Sequence, residues 1–405
     1  MKLKFKILLT LIFLFIFAAA SLDVFICREI PCVFYAENNN EKIRLKNAVA
    51  FIPIVVKPCK KLGVSAVSFE DSYDASLTVF NIPVKKVKVN IEQREQIVPG
   101  GDPFGIRIFT EGVMVIDSAC VETEAGDFNP AQKSGIKKGD VIAEIDGKKI
   151  DSNEALARLV QESNGKTLDC TVIRGNLKFN TNLIPVKAVN EGVFRIGIWV
   201  RDSSAGIGTL TFYGNNGDFA GLGHGIRDSD TEEIIPLSHG DIMRASIRSV
   251  VKGTRGVTGE LRGGFLGAKP MGTITANTEF GVYGKISEPS TSGQTIPIAF
   301  KQEVEAGDAK IISTVEGNEP THYDIKIENI NFNRSDLTKN ISILVTDEAL
   351  LSKTGGIVQG MSGSPIIQKG RLVGAITHVF VNDPKRGYAI FAETMLKNLL
   401  DLPEK

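Results

Sequence analysis

Lysines at alternate positions, Lys2, Lys4 and Lys6, precede an apolar run from Ile7 to Phe17 broken only by Thr10, and the run gives way to Ala18, Ala19, Ala20 and Ser21. A basic flank, an apolar stretch and small residues at its end form the pattern of an export signal. Apolar character resumes from Leu22 to Cys27 with Asp23 inside it, so the combined segment approaches the roughly 20 residues that span a bilayer. Residues 1–27 are therefore read as a signal peptide or a membrane anchor, with cleavage and retention both open. The polar stretch Ala36 to Lys42 follows as a flexible link. Short β-like runs at Ala48 to Val56, interrupted by Pro53, and Val64 to Phe69 carry no chemical motif, and residues 28–100 are assigned as an N-terminal region of unread function.

From Gly101 the pattern becomes strands separated by glycine turns. Within it, Ala131 to Ile150 reads AQKSGIKKGDVIAEIDGKKI. Asp146 and Gly147 suit a tight turn with positive φ. Ser152 can cap a helix that places Ala155, Leu156, Leu159 and Val160 on one face. A strand from Asp169 to Arg174 closes the unit, and residues 101–188 resemble a PDZ domain. Such domains take an extended peptide as an added strand, its carboxylate received by backbone N–H groups of a glycine-containing loop. The resemblance places that loop at Pro103, Phe104, Gly105 and Ile106, with Phe104, Gly105 and Ile106 as candidate peptide-binding residues, although the usual alternation of glycine and apolar residues is incomplete.

Beyond Val189 the chain is strand-like and turn-rich, with β-favouring runs at Phe194 to Val200, Thr209 to Tyr213, Ile311 to Val315 and Ile341 to Val345, and an amphipathic helix at Ala392 to Leu400. Residues 189–405 are long enough for two packed barrels. The fold expected is mainly β: the N-terminal membrane or signal segment, the α+β PDZ-like domain, then an all-β double barrel. Composition narrows the function. The 47 basic and 47 acidic residues cancel and are interspersed, so no basic stripe for nucleic acid forms. Five cysteines without a CxxC pair or a nearby histidine give no zinc site, and Cys120 and Cys170 are read as structural thiols.

The chemistry concentrates in Gly360 to Pro365, GMSGSP. Glycines around a serine permit a tight, exposed turn whose N–H groups hold a developing oxyanion. The pattern resembles the nucleophile motif of chymotrypsin-like serine peptidases, which implies Ser362 as nucleophile and the N–H groups of Gly360 and Ser362 as oxyanion hole. Ser364 is a competing hydroxyl on the wrong side of Gly363. A serine nucleophile needs a base, and the chain holds four histidines. His224, glycine-flanked in GLGHGI and preceding the serine, is preferred over His239 and His378, while His322 reads as a surface residue.

Three longer segments extend the resemblance: RDSSAGIGTLTFY from Arg201, GLGHGIRDSDT from Gly221, and TGGIVQGMSGSPIIQKGRLVGAITHVFVNDPKRGYAI from Thr354. With the PDZ-like domain they are similar to the stage IV sporulation protein B peptidases of endospore-forming bacteria. The resemblance implies a secreted or membrane-anchored serine endopeptidase, without cofactor, acting between mother cell and forespore. Its implied substrates are its own N-terminal region, read here as the link from Ala36 to Val64, and a membrane-bound regulator of an intramembrane metalloprotease that activates a sigma-factor precursor. It also implies Asp347 as the acid that orients His224; Asp228, Asp230 and Asp241 stand as alternatives. Two rival functions are a PDZ adaptor with an inactive peptidase domain and an envelope quality-control serine peptidase.

Overall fold

The computed structural model describes residues 30–38, 43–45, 54–59, 72–175, 177–214, 216–287 and 293–403, with isolated positions 6, 10, 13, 17 and 21. The export or anchor segment, residues 1–27, otherwise lies outside the described residues, as does much of the link from Ala36 to Val64. Among the described residues no helix is long and apolar enough to cross a membrane. The structure is mainly β, with an N-terminal sheet, a PDZ-like lobe and two β-barrels.

The N-terminal region, unread from sequence, folds as a five-stranded sheet in the order Val33–Ala36, Ile82–Ile91, Ser72–Val79, Ile54–Pro58, Arg44–Leu45. Alternate positions such as Ala75, Leu77 and Val79 fill its own core, the period-2 pattern of a half-buried strand. The sheet is clamped to the rest of the chain through Tyr35. The Tyr35 ring stacks on Phe300 at 5.7 Å with Lys397 Nζ 3.4 Å from its centroid, and its carbonyl accepts a hydrogen bond from Gln302 Nε2 at 2.6 Å.

Two barrels follow. In the first, Pro103–Ser118, Leu237–Val251, Gly272–Thr278, Gly281–Ile286, Asp218–Gly221 and Ile198–Tyr213 pair successively, and the last returns to the first. Phe104, Ile106, Ile108, Leu210 and Phe219 fill its interior. The second is a closed barrel of Gly307–Ser313, Thr321–Ile330, Ile341–Val345, Asp383–Phe391, Arg371–Phe380 and Pro365–Gln368 around Ile311, Ile325, Ile343 and Ile376. Ala392–Leu400 is the helix its periodicity predicts, and Met395 seals the seam with Phe212, Tyr283 and Leu372.

The PDZ-like lobe does not simply precede the barrels; it is inserted into the first one. Pro103–Ser118 and Ile198–Tyr213 are each 16 residues long and pair antiparallel from Thr209↔Pro103 to Ile198↔Ser118. Their inner halves are barrel staves. Their outer halves form a ribbon that carries the lobe, whose core runs from Val113 and Val115 through Ile142, Leu156, Val160 and Cys170 to Ile196. A boundary at residue 101 therefore assigns a barrel strand to the lobe, and one at 188 leaves out Ile196 of the lobe's core.

Within the lobe the local signals hold. Ser152 caps Asn153–Glu162 by accepting from Ala155 N, and Asp146 and Gly147 both have positive φ, 49° and 74°. The candidate peptide loop is corrected. Phe104, Gly105 and Ile106 lie in a strand paired on one edge with residues 206–208 and on the other with residues 242–244, with Phe104 and Ile106 buried. No strand can be added where both edges are taken.

Candidate active site

Each barrel brings one reactive side chain to the cleft between them. On the first barrel, Asp218–Gly221 ends in a turn with Leu222 and Gly223 at φ 67° and 70°, which delivers His224. On the second, the turn before Pro365–Gln368 delivers Ser362. Both line a cleft of about 1070 Å³, together with Gly360, Thr377 and His378.

The serine turn is held from three sides. Gly363 N donates to Ile376 O at 2.7 Å, Thr209 N donates to Ser362 O at 3.1 Å, and the hydroxyls of Thr209 and Thr211 donate to the carbonyls of Gly360 and Gly363, each at 2.8 Å. Those threonines belong to the ribbon strand, so the first barrel fixes the turn of the second. Gln359, Met361, Gly363 and Ser364 spend their N–H groups on Gly259, Val358, Ile376 and Met361 carbonyls. Among the described hydrogen bonds none uses the N–H of Gly360 or Ser362, the pair expected to serve an oxyanion. Ser364 is removed from contention because its hydroxyl is fully buried and bonded to Ser313 Oγ at 2.9 Å.

His224 Nδ1 lies 2.9 Å from the carbonyl of Gly225. A carbonyl only accepts, so Nδ1 carries the proton and Nε2 keeps the lone pair that a base needs. Burial pushes the His224 pKa below its ordinary value, with Arg227 adding to the effect against the Gly225 carbonyl. The Ser362 hydroxyl donates to Thr377 O at 3.0 Å, and a rotation about its Cα–Cβ bond is the movement that would turn it to another acceptor.

His378 joins the site, although its sequence context favours it less than that of His224. Its ring centroid is 5.4 Å from that of His224, and its Nδ1 is buried with no hydrogen-bond partner among the described residues. Burial first, then the neighbouring His224, Lys339 and Arg227, lower its pKa to about 4 against the pull of Asp336. Asp336 accepts from Thr338 and is held at about 2, its burial outweighed by Lys339 and Thr338. The other histidines are elsewhere: His239 is exposed and stacked on Phe109 at 4.3 Å, and His322 is exposed on a barrel strand.

Asp347 is not brought to His224. It is the N-cap of Glu348–Thr354, with Oδ1 accepting from Leu350 N at 2.9 Å and Oδ2 from Asp324 N at 3.3 Å. The alternatives are also engaged away from the imidazole, Asp228 and Asp230 with Arg201, and Asp241 with Arg107. In this structure the orienting contact on His224 is the Gly225 carbonyl.

A family profile described as SpoIVB peptidase S55 matches residues 192–396, and a PDZ domain profile matches residues 62–184. Among solved structures, the active form of a protease from M. tuberculosis is 14% identical, covering 50% of this chain and 76% of its own, with a TM-score of 0.30. The PDZ domain of an SdrC-like protein from Listeria monocytogenes is 23% identical over 22% of this chain and 87% of its own, with a TM-score of 0.19.

Proposed function

The chain belongs to the SpoIVB peptidase S55 family and is a serine endopeptidase, and we propose that Ser362 is its nucleophile, His224 its general base and the N–H groups of Gly360 and Ser362 its oxyanion hole. The observation that carries this reading is the meeting of His224, Ser362 and two uncommitted N–H groups in one cleft. The Ser362 hydroxyl turns from Thr377 O to His224 Nε2, which takes its proton as Oγ attacks the scissile carbonyl. The Gly360 and Ser362 N–H groups receive the oxyanion. His224 then protonates the leaving amine, and water hydrolyses the acyl-enzyme by the same route reversed.

Asp347 supports the helix beneath the turn. Asparagine caps as well as aspartate, so Asp347→Asn retains kcat/KM within a few-fold, whereas Asp347→Ala loses about 1 kcal/mol of stability in urea unfolding. A fall of about 10⁴-fold for the asparagine variant, the loss seen when an orienting aspartate is neutralised, would restore Asp347 to the triad.

The pH dependence follows from the two imidazoles. Catalysis needs neutral His224, and burial lowers its pKa. The acid limb of kcat/KM therefore has its midpoint below the ordinary histidine value of about 6.5. Both rings are held neutral in the folded chain where unfolded histidine is protonated. The unfolded state then binds more protons, so stability falls as pH drops below about 6.5. For His378 that loss continues to about pH 4, where the folded chain also takes up the proton. A pH–rate profile beside pH-resolved thermal unfolding checks both, and a limb centred above 6.5 contradicts the buried neutral base.

The physiological substrate we infer is a membrane-bound regulator of an intramembrane metalloprotease in the sporulation pathway, with self-cleavage in the N-terminal region as a companion reaction. Family membership and the export pattern of residues 1–27 support it. Of the link read as the self-cleavage target, Ala36, Arg44–Leu45 and Ile54–Pro58 are strand residues of the N-terminal sheet, and residues 39–42, 46–53 and 60–64 lie outside the described residues. Incubating the full chain with membranes carrying the regulator should yield paired fragments that are absent with Ser362→Ala. Cleavage of unfolded envelope proteins with the regulator left intact would favour the quality-control reading.

A further inference from the structure

The N-terminal sheet turns between Ser72–Val79 and Ile82–Ile91 through Phe80 and Asn81, at φ 48° and 67°. Two positive φ values make the tight turn that suits a twisted hairpin, and Asn, Asp or Gly ordinarily fill it. A bulky aromatic there is an outlier. Its side chain faces outward, Phe80 being 66% exposed and Ile82 65%. Lysines surround the tip. Lys57 Nζ donates to Asn81 Oδ1 at 2.8 Å, Lys86 is exposed, and Lys85 Nζ donates to Ile30 O at 2.5 Å. The acid on the neighbouring strand, Asp74, lies opposite Lys88, away from the turn.

The bond from Lys85 to Ile30 also fixes which end of the sheet this is. Val33–Ala36 runs parallel to residues 88–91, so the chain enters the sheet beside Lys85, three positions along the strand from Ile82. The apolar stretch Leu22 to Cys27 ends three positions before Ile30, about 10 Å of extended chain. An exposed apolar tip, neighbouring lysines and the point at Ile30 where the chain enters the sheet thus share one end of the domain.

We propose that the Phe80–Asn81–Ile82 tip is a membrane-contact element that seats the N-terminal sheet on an anionic bilayer. Phe80 and Ile82 enter the headgroup boundary while Lys57, Lys85 and Lys86 face lipid phosphates, the division of labour of an interfacial anchor. A single apolar segment leaves a domain free to swivel, and a second contact fixes which face of the peptidase looks along the membrane.

The test uses the full chain in vesicles of phosphatidylcholine and phosphatidylglycerol, in a Trp199→Phe background, with a reporter tryptophan at one of three exposed positions: Phe80→Trp, Ile82→Trp, or the distant Leu177→Trp, whose native side chain is 71% exposed on the PDZ-like lobe. Lipids brominated on their acyl chains should quench the reporters at 80 and 82 at least twofold more than the one at 177. Adding Lys85→Glu and Lys86→Glu, or omitting phosphatidylglycerol, should reduce that difference. Equal quenching at all three positions, none at 80 and 82, or quenching indifferent to lipid charge would overturn the proposal. Circular dichroism on each variant shows that the comparison is between folded chains.

Discussion

Ser362→Ala lowers peptide-bond cleavage by at least about 10³-fold and abolishes labelling by a fluorophosphonate probe, while the chain keeps its fold. The size follows from what is removed: without Oγ no acyl-enzyme forms, and only binding and the oxyanion donors remain to act on water. The fold survives because the hydroxyl makes one bond, to Thr377 O, worth about 1 kcal/mol net. Intact-mass analysis of the full chain during incubation, with and without probe, reads both halves. Undiminished cleavage in the variant would move the nucleophile elsewhere. Labelling absent from the wild type as well would favour the adaptor reading or a requirement for an activating partner.

The second large effect is expected one residue further on. Gly363 has φ +94°, and a Cβ there would sit 2.0 Å from Thr209 O and 2.5 Å from Leu222 N. Both obstacles are backbone of the first barrel, so Gly363→Ala must push the serine turn off the strand that holds it. We expect a loss of about 3 kcal/mol or more, in the range where special backbone conformation and overpacking combine. A loss of about 10²-fold in kcat/KM should accompany it from displacement of Ser362 and the oxyanion donors. Gly370→Ala is the control. That residue also has positive φ, 74°, but nothing lies within 4 Å of its Cβ position, so its cost should stay near the 1–2 kcal/mol of left-handed strain alone. Urea unfolding of both variants, with probe labelling, separates strain from collision; equal costs would show that contact across the barrels contributes nothing.

How far the sequence alone reached depended on whether a signal was local. GMSGSP was legible because the glycines that free the turn are its immediate neighbours, and His224 because Gly223 and Gly225 present it in the same way. Ser152, Asp146 and Gly147 announced a cap and a turn within four residues of themselves. Asp347, which the resemblance implies as the orienting acid, stands ahead of Glu348, Leu350 and Leu351, which is also the signature of a helix N-terminus, and the structure places its carboxylate there. The resemblance puts Phe104 and Ile106 in a loop, whereas their alternation through Ile108 is that of a barrel stave. His378 lies in an ordinary-looking strand, THVF, and its relevance depends on a ring from the other barrel. The insertion of the lobe had no local trace, since it rests on pairing between residues 103 and 209.

That insertion bears on the order in which the chain acquires structure. The ends of Pro103–Ser118 and Ile198–Tyr213 that close the first barrel are separated by roughly a hundred residues, and bringing distant segments together is the slow, entropically costly step in β-rich folding. When the lobe forms first, its own core already holds Val113 and Val115 near Ile198 and Val200. The remaining rungs can then zip inward one at a time towards Thr209, each closing almost no new loop. A lobe formed first would thus act as an internal template for the barrel it is inserted into. A lesion buried in the lobe, far from the cleft, would be felt as nascent chains whose first barrel never closes and whose serine turn is left without its threonine brackets.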